Sequence, residues 1–222
     1  MKSLTFTDDT RLTKALLTCG MSAGPLYIIA GLIQVAIRPG FDITRHSLSL
    51  LSNGDLGWIQ ILNFFVTGML LIAGSVGVKR ALQAGLGSQW APRMLGLYGL
   101  GLIGASVFSA DPALGFPPGT PLENNLISWH GMLHFIVGTI GFIGFIATCF
   151  IFARRFKSLQ KPGWAWYSLI TGILFLATFV GIASGSKGPF SIFFAVAVVF
   201  GFTWISALLS RLRQGSRENR YG

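Results

Sequence analysis

The sequence has 222 residues, of which 52% are apolar and only 11% are charged, and its formal net charge is +10. This composition excludes an ordinary water-soluble surface, because charged residues make up about a quarter of a typical soluble domain. We therefore expect lipid to solvate most of the chain. The basic residues lie in short segments between apolar runs rather than across one polar face, which excludes a nucleic-acid-binding protein and favours a membrane protein.

Six apolar runs follow one another along the chain, and each is long enough to cross a hydrocarbon core of about 30 Å. The predicted spans cover residues 15–37, 58–78, 92–109, 127–153, 164–183 and 190–209. Proline, glycine and paired basic residues separate the runs, as at Arg38-Pro39-Gly40. The sequence therefore predicts an all-α polytopic membrane protein, with one bundle of six transmembrane helices over residues 1–222.

The distribution of lysine and arginine predicts the orientation of this bundle. Fourteen of the seventeen basic residues lie in the two terminal segments and in the loops after the second and fourth spans. Because loops rich in lysine and arginine stay in the cytoplasm, both termini should be cytoplasmic. All three histidines, His46, His130 and His134, then lie at the outer face, and we expect any functional site to be there.

The loop after the first span is long for a simple connector. It carries charged and hydroxyl side chains, namely Arg38, Asp42, Arg45, Ser47 and Ser49. Two interpretations stay open: the arginines bind a lipid phosphate as part of a ligand pocket, or they extend towards the headgroups while their stems lie in the apolar layer.

Three amides lie near the outer ends of the first two spans: Gln34, Gln60 and Asn63. An amide at this depth needs a polar partner or a wet cavity. These side chains either line the same pocket or form hydrogen bonds between helices. Glycines in the third and fourth spans, including Gly99, Gly101 and Gly141, predict close helix packing.

A metal site is one interpretation of the histidines. His130 and His134 are four residues apart, which places both imidazoles on one helical face. A hydrolytic zinc site needs about three protein ligands and an open position for water. Either His46 or Asp111 could supply the third ligand, and in the leading hypothesis His46 is the ligand while Asp111 orients the metal-bound water. The alternatives are histidines that face headgroups or accept hydrogen bonds at helix ends, and an Asp111 that caps a helix beginning at Pro112.

Four motifs carry a resemblance over nearly the whole chain: RPGFDITRHSLSLLS, GWIQILNFFVTG, FSADPALGFPPGT and SWHGMLH. In this order they resemble a membrane family known as domain of unknown function 998. The resemblance implies a compact bacterial or archaeal protein of about six spans, and therefore a prokaryotic plasma membrane, with no established activity.

A looser similarity connects the chain to the alkaline ceramidase-like membrane hydrolases. Those enzymes use a serine, an aspartate and three histidines, and His130 and His134 match the H-x-x-x-H pair on one of their helices. The remaining candidate equivalents are His46, Asp111, Ser47 and Ser49. This chain departs from that pattern, because those enzymes have seven spans and place their last pair in the final helix.

Together these observations predict an integral membrane protein with an outward-facing polar pocket. Two functions stay open: hydrolysis of a lipid or amphiphile with a divalent metal such as zinc, and metal-free binding of a lipid or amphiphilic ligand. Membrane lipids are the expected partners. Ion-coupled transport is disfavoured because the middles of the spans carry no ionisable residue. Haem carriage is disfavoured because His130 and His134 share one helix.

The predicted orientation can be tested by cysteine labelling. The basic loop around Arg154 and Lys161 should face the cytoplasm, so a cysteine in place of Gln160 should react with an impermeant maleimide only after the cells are opened. Labelling of this variant in intact cells would overturn the topology.

Overall fold

The computed structural model describes residues 5–123, 127–184 and 190–218. The helices in this part are α1 (Thr5–Ile37), α2 (Gly57–Ala81), α3 (Trp90–Val107), α4 (Trp129–Ser158), α5 (Pro162–Ala183) and α6 (Phe190–Glu218). A short 3-10 turn, Leu48–Ser52, lies between α1 and α2. The predicted all-α fold is confirmed. The helices α1, α4 and α6 run beyond the predicted spans because a helix can continue into water after its apolar stretch ends.

Five of these helices are long and apolar enough to cross a membrane, so the chain is an integral membrane protein. The exception is α3, which has 18 residues. Its first turn contains Pro92 and Arg93, and it carries four glycines, so its 18 residues are not apolar enough on average to count as a span by the measure that α2 and α4 meet. It still packs against α2 on one side and α4 on the other, and it is therefore a full member of the bundle.

The six helices close into a ring. Each helix packs against the next one along the chain, and α6 packs back on α1. Tyr27 of α1 stacks on Phe202 of α6 with ring centroids 4.5 Å apart, and Tyr98 of α3 lies 5.1 Å from Phe145 of α4. All four rings are buried. Aromatic packing therefore fills the middle of the ring.

Glycine pairs bring neighbouring helices into backbone contact. A Cβ atom added to the first member of each pair would lie only 2.6 to 2.7 Å from the backbone of the second; the pairs are Gly20 and Gly74, Gly68 and Gly99, and Gly101 and Gly141. No side chain fits in so short a gap unless the helices separate. The predicted role of the glycines in close packing is confirmed at these contacts.

Three amide side chains lie between α1 and α2. Gln34 donates from Nε2 to Oε1 of Gln60 at 2.8 Å, and Asn63 donates from Nδ2 to the backbone carbonyl of Tyr27 at 3.3 Å. All three amides are buried. Of the two alternatives for these residues, the geometry supports hydrogen bonds between helices. In lipid such bonds stabilise helix contacts by roughly 0.6 kcal/mol each.

The glycine contact between α3 and α4 can be tested by adding one methyl group. Gly101→Ala should lower the stability of the protein by about 1–3 kcal/mol, because the new Cβ overlaps the backbone at Gly141. Gly138→Ala on α4 is the matched control, since a Cβ there meets nothing within 4 Å. Thermal unfolding in one detergent compares the two variants. Equal melting temperatures would show that the helices do not depend on this contact.

Candidate functional site

Two loops form a cap over one end of the bundle, which we call the outer end after the predicted orientation. The outer cap consists of residues 38–56 between α1 and α2 and residues 108–123 after α3. Its own small core contains the buried side chains of Leu50, Leu51 and Phe116. Each loop contributes to that core, so the loops pack on one another and close the end of the ring.

Arg38 is a buried residue of the outer cap, and its side chain contacts other residues of the cap. Its side chain is 7% exposed. The guanidinium donates to the carbonyl of Leu51 at 3.0 Å and to the carbonyl of Asn53, and it lies 5.2 Å from the centre of the Phe116 ring. These partners are all in the cap. The structure therefore gives Arg38 a structural role and does not support phosphate binding by its side chain.

His46 connects the two loops of the outer cap. Its Nδ1 accepts a hydrogen bond from the backbone N–H of Asp42 at 2.9 Å, so the ring proton is on Nε2, which donates to the carbonyl of Leu114 at 3.0 Å. The side chain is 3% exposed. Both ring nitrogens are engaged, and neither is available to a metal ion in this geometry.

The other charged residues of the first loop act locally or face outward. The hydroxyl and the backbone N–H of Thr44 donate to the carboxylate of Asp42 at 2.7 and 2.9 Å, and these bonds lower the pKa of Asp42 below its usual value. Arg45 is exposed, and its backbone carbonyl accepts a hydrogen bond from Ser191 at 3.2 Å. Neither Asp42 nor Arg45 is among the residues that line the cavity beneath the cap.

His130 and His134 both contact Phe108, the residue that follows α3. Nδ1 of His134 donates to the Phe108 carbonyl at 2.7 Å, since a carbonyl can only accept. The ring of His130 lies 6.0 Å from the Phe108 ring and 3.7 Å from the ring of Trp129. The two histidines therefore share one helical face, as predicted. This face packs the start of α4 against the end of α3.

The structure does not bring the three histidines together as one group of ligands. In the part of the chain that the structure describes, no group of three or more histidine, cysteine, aspartate or glutamate side chains lies close enough to hold a metal ion. His46 is bound through both ring nitrogens within the outer cap, while Nδ1 of His134 is bound at the end of α3. The site of His46, His130 and His134 therefore stays a prediction that this arrangement does not support.

Asp111 supports the beginning of α4. Its carboxylate accepts hydrogen bonds from the backbone N–H and the hydroxyl of Ser128 at 2.8 and 2.5 Å. Ser128 is the N-cap of α4 and accepts in turn from the N–H of Gly131 at 3.0 Å. Of the two roles considered for Asp111, the geometry supports helix capping, but the helix is α4 and not one that begins at Pro112. A carboxylate is favourable there because a helix N-terminus carries partial positive charge.

A cavity of about 180 Å³ lies beneath the outer cap, in the centre of the ring. Its walls are mostly apolar and aromatic, and every helix contributes to them. Its polar lining residues include Ser47, Ser49, His134 and Thr139. No aspartate, glutamate, lysine or arginine is among the described residues that line it. The cavity is therefore suited to an apolar group that carries an uncharged polar end.

Three of the polar lining residues were expected as site residues, and two features of the cavity were not expected. Ser47 and Ser49, predicted as ligand-binding residues, line the cavity with their hydroxyls 3.0 Å apart, and His134, predicted as a metal ligand, lines it as well. Thr139 was missed, and its buried hydroxyl has no hydrogen-bond partner in the structure. Gly138 is one of the glycines of the fourth span, for which only close packing was predicted, yet it opens onto the cavity. Its spacing of four residues from His134, on the same helical face, was the signal available in the sequence.

The predicted amide ligands lie elsewhere. Gln34, Gln60 and Asn63 are not among the residues that line the cavity. Their hydrogen bonds join α1 to α2 behind its wall.

Fold and site together define a helical integral membrane protein with a capped, uncharged cavity. The model of the family described as "Protein of unknown function (DUF998)" matches residues 21–211, and the chain belongs to this family. No curated protein and no solved structure matches the chain. The resemblance carried by the four loop motifs is thereby confirmed, whereas the looser similarity to alkaline ceramidase-like hydrolases is not shown.

The capping role of Asp111 predicts a loss of stability. Asp111→Ala should lower the unfolding free energy by about 1–2 kcal/mol, because Ser128 loses both of its hydrogen bonds to the carboxylate. Glu123→Ala, which removes an exposed acid of the same loop, is the control and should have little effect. Thermal unfolding measures both variants. A melting temperature of Asp111→Ala equal to that of the wild type would contradict the capping role.

Proposed function

We propose that this protein binds an uncharged amphiphile, with the apolar part of the ligand in the central cavity and the polar part beneath the outer cap. The observation that carries the proposal is the lining of the cavity. Apolar walls surround a few hydroxyl groups and one imidazole, and no aspartate, glutamate, lysine or arginine is among the described lining residues. A charged headgroup placed there would lose its hydration without gaining an ionic partner.

The volume of the cavity limits the ligand. An apolar cavity of about 150 Å³ takes up a molecule the size of benzene. A cavity of about 180 Å³ therefore accepts a short hydrocarbon segment rather than a full acyl chain. The ligand is then a short-chain alcohol, ester or similar amphiphile, or the part of a larger lipid next to its polar group.

The unpartnered hydroxyl of Thr139 supports the position of the polar end. A buried hydroxyl without a partner is costly in an apolar environment, by roughly 1–3 kcal/mol. A ligand oxygen at that point would satisfy it. Ser47 and Ser49 offer two further hydroxyls on the wall nearest the cap.

Hydrolysis of such an amphiphile is the second candidate function. The observation that favours it is that Ser47, Ser49 and His134 line one cavity, since a serine and a histidine are the usual pair for nucleophilic attack on an ester. Against it, the Asp111 carboxylate is engaged by Ser128, and the two serines bond to each other. We therefore rank binding first.

The charge asymmetry of the loops supports an orientation with the cap outside. The location in a prokaryotic plasma membrane rests on the family resemblance.

Photolabelling tests the proposed function. An octanol that carries a diazirine should label cavity residues of the purified protein in a saturable manner, and unlabelled octanol should compete. The matching diazirine octanoate at pH 8 should label them at least fivefold less, because its carboxylate cannot be buried unpaired. Equal labelling by both probes, or labelling that does not saturate, would sink the proposal.

A matched pair of variants connects that labelling to the cavity. Gly138→Leu fills space that is open in the structure and should reduce octanol labelling at least fivefold without unfolding the protein. Gly163→Leu, at an exposed glycine of α5 with nothing within 4 Å, should leave it unchanged. Release of free acid from an octanoate ester by the wild type, but not by His134→Ala, would favour hydrolysis over binding alone.

A further inference from the structure

A second cavity lies on the opposite end of the molecule, in a groove between α2 and α3. It has a volume of about 480 Å³ and is open to the side of the bundle. The two helices supply parallel rows of side chains, one with Ile72 and Val76 and the other with Gly96 and Leu100. Val76 and Leu100 are exposed, so the groove faces the lipid.

Two cations stand at one end of this groove. Lys79 ends the row on α2, and Arg93 begins the row on α3. Both side chains are exposed. Their contacts are with neutral groups: Nζ of Lys79 donates to Oε1 of Gln89 at 2.7 Å, and the guanidinium of Arg93 lies 5.4 Å from the Trp90 ring. Among the described residues that line the groove there is no acid to neutralise them.

The apolar part of the groove is long enough for an acyl chain segment. Lys79 and Ile72 are seven positions apart on α2, and Arg93 and Leu100 are seven positions apart on α3. Each spacing corresponds to roughly 10 Å along the helix. Gly96 lies in the middle of the groove, where it has no side chain to occupy the space and where an added Cβ would lie 3.2 Å from Oγ of the buried Ser75. The exposed indole of Trp90 beside the cations is typical of the membrane interface.

We propose that this groove is a binding site for an anionic phospholipid of the leaflet at the basic end of the bundle. The phosphate lies between Lys79 and Arg93, which come from two different helices, and one acyl chain lies along the groove towards Leu100. Positive charge from both helices matches the negative headgroup, and the lipid-facing hollow matches the chain. A soluble phosphate would use only the charged end and would leave the apolar part empty. This site shares no lining residue with the central cavity, and it differs from that cavity in having two basic residues.

Native mass spectrometry of the purified full chain tests the charged end. Phosphatidylglycerol is the anionic probe and phosphatidylcholine the zwitterionic one. The variant with Lys79→Gln and Arg93→Gln should bind phosphatidylglycerol at least tenfold more weakly, because each basic residue near the surface strengthens the attraction of an anionic lipid severalfold. The control with Arg154→Gln and Lys157→Gln removes two exposed cations of α4 outside the groove and should keep the wild-type affinity.

A second arm tests the apolar part. Gly96→Leu places a side chain between the two rows of the groove, with its Cβ 3.2 Å from Oγ of Ser75, and leaves both cations in place, so it should also reduce phosphatidylglycerol binding at least fivefold. Gly31→Leu, at a glycine of α1 with nothing within 4 Å, should not. If Gly96→Leu does not fold, Val76→Trp, which blocks the groove from an exposed position, takes its place.

Three results would overturn the site. The first is equal loss of phosphatidylglycerol in the α4 control, which would mean that general surface charge attracts the lipid. The second is unchanged binding in the variant without Lys79 and Arg93. The third is unchanged binding in the filled groove together with competition by millimolar inorganic phosphate, which would show a site for the anion alone.

Discussion

The bundle depends on places where two helix backbones touch with no side chain between them. Gly68 of α2 meets Gly99 of α3, and two residues later Gly101 of α3 meets Gly141 of α4. Lipid offers no hydrophobic driving force between helices, so their association relies on such close contact. α3 has glycine on both of its faces, which explains how the shortest helix is held between two others. The ring around the cavity exists because these contacts fix its walls.

The outer cap meets a second requirement, which is that loop carbonyls near the apolar layer need donors. A buried carbonyl without a partner costs free energy, and irregular backbone has fewer internal partners than a helix. Arg38 supplies donors to the carbonyls of Leu51 and Asn53, and His46 supplies one to Leu114. Arg38 and His46 therefore complete the hydrogen bonding of the cap itself. The cap covers the outer end of the cavity, and none of the described residues that line the cavity is an aspartate, glutamate, lysine or arginine.

The sequence predicts the helices well and the site only in part, for different physical reasons. A span in lipid must be a long apolar run, so six helices can be recognised one at a time. The spacing of His130 and His134 also gives their common face, because helix geometry is local. Their partner is not local: the carbonyl of Phe108, left free where α3 ends, lies 26 residues from His134. Thr139 was missed because a single hydroxyl in an apolar run carries no pattern.

Closure of the ring has a consequence for the order of assembly in the cell. Tyr27 on α1 stacks on Phe202 of α6, and the hydroxyl of Ser206 donates to the carbonyl of Met21. These partners are separated by 175 and 185 residues, which a ribosome adds in roughly 9 to 37 s at typical rates of synthesis. During that time α1 has α2 beside it, but its other face has no partner until α6 is made. The packing of α1 is therefore completed only after α6 has been synthesised, and translation sets the earliest moment at which the cavity can form.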